Sequence, residues 1–104
     1  MHAVTAVSGS GPAYFYYFTE AIIAGGVAAG LDREQALRLA ENTCLGAARM
    51  MLETGIEPAE LRRQVTSPAG TTHAAIESMS WAGVSEAIKK AVLIAVRRSK
   101  ELGK

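Results

Sequence analysis

Apolar positions along this chain recur every three or four residues, and glycine, proline and aspartate interrupt them at intervals. The repeat is clearest at Leu37, Ala40, Cys44, Ala47 and Met51, with a second seam at Ala36, Leu39, Thr43, Gly46 and Met50 beside it. Arg33, Glu34, Arg38, Glu41, Arg49 and Glu53 make up the polar remainder, which Leu45 interrupts. Five helices are predicted. After "SGSGP", the first runs from about Ala13 to Ala29, with Pro12 suited to a first helical position and Gly30 to a left-handed stop. Asp32 caps the second, with Gln35 completing a capping box, and Gly55 ends it after about Thr54. Pro58 opens a short third helix, "PAELRRQV". A fourth covers about Thr72 to Trp81, Gly83 punctuates, and a fifth runs from about Val84 to Leu102. Only Ala3–Val7, a short apolar stretch, is a candidate strand.

Residues 91–96, "AVLIAV", are apolar for more than one and a half turns. No side of that segment is wet, so a second chain is expected to cover one side. Composition points the same way. The chain has 104 residues, and Ala and Gly supply much of its apolar content. Small residues bury little area each, so a short, Ala-rich domain needs a partner.

From Gly11 to Leu31 the only charge is Glu20. A membrane span needs about 20 apolar residues, but a carboxylate near its middle is costly, and no basic residues flank the segment. A buried helix of an obligate oligomer fits better. Ala21, Ala24, Gly25 and Ala28 form a small-residue strip for a close neighbour, and Tyr14–Phe18 read as interface or core. The net charge of +1 argues against nucleic acid as a partner. A single cysteine suits a reducing cytosol. Met1-His2 is followed by no basic signal-peptide region, and a cytoplasmic location is expected.

His73 lacks further ligands at metal spacing, so it reads as a surface or supporting histidine and no metal is expected. Cys44 lies on the apolar seam and reads as a small buried hydrophobe. Arg97, Arg98, Lys100 and Lys104 complement the dipole at the end of the last helix.

One stretch stands apart. "TSPAGTT", residues 66–72, packs four hydroxyls, a proline and a glycine into the approach to a helix. The first N–H groups of a helix lack internal partners and carry partial positive charge. With Gly70 permitting close approach and Ser67, Thr71 and Thr72 adding hydroxyls, the stretch makes an anion site sized for one carboxylate or phosphate. Equally, the hydroxyls serve only as caps.

"SGSGPAY" (8–14) and "LRRQVTSPAGTTHAAI" (61–76), with "GGVAAGLDREQALRLAENTCLGAARMML" between them, resemble the C-terminal domain of pyrroline-5-carboxylate reductase over essentially the whole chain. The resemblance implies an all-α fold, a bundle of about five helices interleaved in an obligate homodimer, similar to the C-terminal domain of 6-phosphogluconate dehydrogenase. It implies dimers that build decamers. It also implies an enzyme that reduces 1-pyrroline-5-carboxylate to L-proline with NADPH or NADH, the final step of proline biosynthesis. Residues 1–104 would be the dimerisation and substrate-binding domain. Carried over by position, Ser67, Gly70, Thr71 and Thr72 bind the substrate carboxylate, and Thr72, as the catalytic residue, approaches the ring nitrogen.

The family's N-terminal Rossmann domain is not represented. The chain has no Gly-x-Gly-x-x-Gly after a strand, so these residues alone are expected to hold no cofactor and to be inactive. Two positions depart from the family's pattern. Ala69 stands where it usually has the first of two glycines, and strain is expected there if the backbone is left-handed. Gln64 stands where an asparagine is often seen. The rival readings are a helical oligomerisation module without a ligand, and a different two-domain imine or hydroxyacid reductase.

Overall fold

A computed structural model describes residues 1–103, and every regular element among them is helical. They are α1 (His2–Val4), a π-helical turn (Thr5–Gly9), α2 (Gly11–Ala28), α3 (Arg33–Thr54), α4 (Pro58–Gln64), α5 (Thr71–Trp81) and α6 (Val84–Leu102). The last four match the predicted helices to within a residue or two. The candidate strand Ala3–Val7 is instead helical, and the helical path reaches α2 with only a bend at Ser10. Pro12 has no N–H to return to the carbonyl four residues back. The path widens just before it, where the Ser10 N–H donates to the Thr5 carbonyl at 2.8 Å.

The chain divides into two compact units, one spanning Ala13–Leu61, the other joining Met1–Pro12 to the segment from Arg62 onward. In the first, α2 ends on Gly30 at φ 115°. The Leu31 N–H reaches back to the Gly26 carbonyl at 3.0 Å, and the Gly30 N–H to Val27 at 3.0 Å, a Schellman ending. The chain then re-enters helix through Asp32. Its Oδ1 accepts from the Gln35 N–H at 2.9 Å, while Gln35 Oε1 accepts from the Asp32 N–H at 3.2 Å. This reciprocal box satisfies two helix-start donors. Gly55, at φ 66°, closes the far end of α3.

The returning helix packs Ala36 and Ala40 on Ile23, with Leu37 alongside. Contact is close because Gly26 has no side chain: a Cβ there would stand 3.2 Å from the Ala36 Cβ. Beyond Ala40 the seam is uncovered. Cys44 is exposed, contrary to its expected burial, and Leu39, Leu45, Met50 and Met51 are also exposed. Cys44, Leu39, Met50 and Met51 belong to the two predicted seams, and Leu45 interrupts the polar side. The aromatic run behaves alike: Phe15, Tyr16, Tyr17 and Phe18 are exposed rather than core.

In the second unit, α6 packs against α1, the π-helical turn and α5. Ala6 is fully buried there. His2 Nδ1 lies 2.8 Å from Ser99 Oγ, joining residues near opposite ends of the chain. The apolar run 91–96 is covered on one side only. Val92, Ala95 and Val96 are half-buried, whereas Leu93 and Ile94, with Ile88 before them, stand exposed. Among the described residues, no helix is long and apolar enough to cross a membrane.

Candidate functional site

The hydroxyl-rich stretch lies wholly in the second unit and links α4 to α5. Its first hydroxyl is already engaged: Thr66 Oγ1 donates to the Arg62 carbonyl, and the Thr66 N–H donates to the Arg63 carbonyl at 3.1 Å. These bonds finish α4. Ser67-Pro68-Ala69-Gly70 then makes a reverse turn closed by the Gly70 N–H on the Ser67 carbonyl at 3.1 Å. Pro68 supplies the fixed φ suited to the second position. Ala69 takes the third with φ 61°, the pattern of a type II turn. The left-handed backbone expected to strain Ala69 is therefore present.

Gly70 follows in an extended conformation, φ −84° and ψ −178°, as the N-cap of α5. Any residue adopts those angles, so glycine is not needed for them. It is needed for space, because a Cβ on Gly70 would collide with Ser67 Oγ. The turn thus folds the Ser67 hydroxyl against the Gly70 backbone, a contact the sequence did not reveal.

This geometry bears on the two readings of the hydroxyls. No side chain caps α5. The Gly70 N–H is used by the turn, and the first intrahelical bond runs from the Ala74 N–H to the Gly70 carbonyl at 3.1 Å. The N–H groups of Thr71, Thr72 and His73 therefore make up the open first turn of the helix. Ser67 and Thr71 are exposed, and Thr72 and Gly70 are half-buried. The turn brings Ser67 to Gly70, and Thr71 and Thr72 follow directly on the helix start. His73 is exposed and faces Glu77 one turn on, Nε2 to Oε2 3.6 Å, as a surface histidine does.

A cleft of about 390 Å³ also opens in this unit, lined by Thr5, Ser10, Ala95, Arg98, Ser99 and Leu102. It does not include the loop. Its one cation, Arg98, is paired with Glu101 at 3.0 Å, and nothing else in its lining suggests chemistry. The open helix start is the better candidate. Among the described residues no cluster of His, Cys, Asp and Glu suits a metal ion.

Residues 1–102 match the family model described as pyrroline-5-carboxylate reductase dimerisation. The chain is 55% identical over its whole length to the pyrroline-5-carboxylate reductase of Methanosarcina acetivorans, of which it covers 38%. It is 54% identical over 96% of its length to that of Pseudomonas aeruginosa, of which it covers 37%. Among solved structures, a pyrroline-5-carboxylate reductase from Coxiella burnetii superposes with a TM-score of 0.95 at 46% identity, over 99% of this chain and 38% of that one. The Plasmodium falciparum pyrroline carboxylate reductase with NADP bound also gives 0.95, at 34% identity, over 100% of this chain and 42% of that one. The chain thus spans well under half the length of the relatives it matches.

Proposed function

This chain belongs to the pyrroline-5-carboxylate reductase dimerisation family, and from that premise we propose that it forms the dimerisation and substrate-carboxylate-binding part of an enzyme reducing 1-pyrroline-5-carboxylate to L-proline. The observation that carries the reading is the open first turn of α5, presented by the Ser67–Gly70 turn with no side chain capping it. The N–H groups of Thr71 and Thr72 hold the carboxylate, assisted by the helix dipole. Ser67 and Gly70 shape the approach. Thr72 Oγ1 accepts the N–H of the ring nitrogen when the imine binds protonated, so no strong acid is required of this chain. Fixing both ends of a small ring orients its C=N carbon, and orientation is a large part of what binding contributes to such a reaction.

These helices do not fit a dinucleotide. There is no strand among the described residues, and the sequence has no Gly-x-Gly-x-x-Gly. NADPH or NADH, which would supply the hydride when bound, is not assigned to residues of this chain.

The partner is a second copy of the chain. Among the described residues the buried hydrophobic side chains are Ala6, Ile23, Ala36 and Ala40, while Phe15, Tyr16, Tyr17, Leu45, Ile88, Leu93 and Ile94 remain exposed. Uncovered apolar surface of this kind, present on each unit, marks association. An interleaved homodimer accounts for it, with assembly of dimers into decamers beyond. The site is a cytoplasmic, soluble enzyme's.

The test of the ligand is a titration of the chain with L-proline, following backbone amide resonances. Shifts concentrated at Thr71, Thr72 and His73 are expected, and their loss in Thr72→Pro, which deletes one of the N–H donors. Proline that leaves all three unmoved favours instead an oligomerisation module without a ligand.

A further inference from the structure

Ala69 is the one non-glycine residue with a left-handed backbone among the described residues, at φ 61°. It occupies the turn position for which glycine is the ordinary choice, because an L-residue there brings its Cβ towards the following carbonyl. Strain of this kind persists where the surroundings over-determine it. Around Ala69 they do not. Ser67, Pro68, Ala69 and Thr71 are all exposed. A single backbone hydrogen bond, Gly70 N–H to the Ser67 carbonyl, closes the turn. The nearest further tether, the Thr66 hydroxyl, holds α4 rather than the turn. A weakly tethered, exposed segment releases strain locally rather than passing it to the fold.

We infer that Ala69 is a positioning residue that holds the loop in balance between the left-handed turn and a relaxed form, and that a bound carboxylate draws it to the former. In the relaxed form the Gly70 N–H leaves the Ser67 carbonyl, and the start of α5 is no longer presented as one open turn. The inference rests on the carboxylate-binding reading above. Affinity is then reduced by the fraction of chains in the competent form, and position 69 sets that fraction. Glycine, which adopts positive φ freely, raises it. Valine, branched at Cβ, lowers it.

L-Proline titrations of the wild type, Ala69→Gly and Ala69→Val, read from the amides of residues 71–73, test this. Ala69→Gly is expected to bind about five-fold tighter and Ala69→Val several-fold weaker. Hydrogen exchange of the unliganded Gly70 amide should be slowed in Ala69→Gly by a similar factor. Equal affinity in all three, with only the melting temperature moving, overturns the inference, since the fold then absorbs the strain. Amides that respond to proline in none of the three overturn the carboxylate reading itself.

Discussion

Replacing Gly70 with alanine tests the turn directly. The backbone at Gly70 is extended, so alanine meets no conformational penalty there. Two other costs remain. Alanine is a poorer N-cap than glycine, by roughly 0.5–1 kcal/mol. Its Cβ also falls on Ser67 Oγ and stands 3.3 Å from the Ser67 carbonyl oxygen. Overpacking costs typically about 1–3 kcal/mol, and a hydroxyl that can swing aside puts this case at the low end. Gly70→Ala is therefore expected to destabilise by about 2 kcal/mol.

The part due to Ser67 is separable. In a Ser67→Ala background the new Cβ meets the residue-67 Cβ at 3.7 Å, an ordinary contact. The same glycine substitution should then cost only about 1 kcal/mol, leaving a coupling of about 1 kcal/mol, above the roughly 0.3–0.5 kcal/mol scatter of independent sites. Urea denaturation of the four proteins, at one fixed concentration because an associating chain's stability depends on it, gives the cycle from the midpoints if the slopes agree. Additivity within that scatter, or a neutral Gly70→Ala, refutes the proposed interlock of Ser67 with Gly70.

Three further outcomes are expected. Asp32→Ala removes the side chain that caps α3 and should cost about 1 kcal/mol in the same denaturation assay. Ile23→Ala empties the middle of the small α2–α3 cluster, and a loss of about 2–3 kcal/mol is expected, towards the lower end for such truncations because so few residues surround it. Light scattering over a dilution series should show a persistent dimer, and Leu93→Glu, which puts a charge on the exposed side of α6, should shift it towards monomer. A compact wild-type monomer at all concentrations contradicts the self-association reading.

Much of the helical layout was legible in the sequence because its signals are local. Asp32 and Gln35 are three residues apart, and each satisfies the other's backbone N–H without help from the rest of the molecule. Gly30, Gly55 and Gly83 take positive φ where the helices stop or start, as their positions beside the periodic segments predict. At the start of α5 the sequence leaves two readings open, an anion site or hydroxyl caps, and only the structure shows that no side chain caps it. Bonding within a turn or two depends on neighbours in the chain, and those the sequence states outright.

Tertiary structure decided what is covered. Ala40 and Cys44 share one seam, yet Ala40 is buried by Ile23 and Cys44 is exposed. Periodicity assigns a face but not what lies across it. The helical course of Ala3–Val7 follows from packing against α6, fastened by His2 on Ser99, and no local pattern reports a contact between the two ends of the chain. Ala69 and Gly70 are the sharpest case. The sequence reads Gly70 as letting a ligand come close, and Ala69 as strained if its backbone is left-handed. In the folded turn the left-handed backbone falls on alanine, and the glycine is there because a hydroxyl three residues earlier occupies the space its side chain would need.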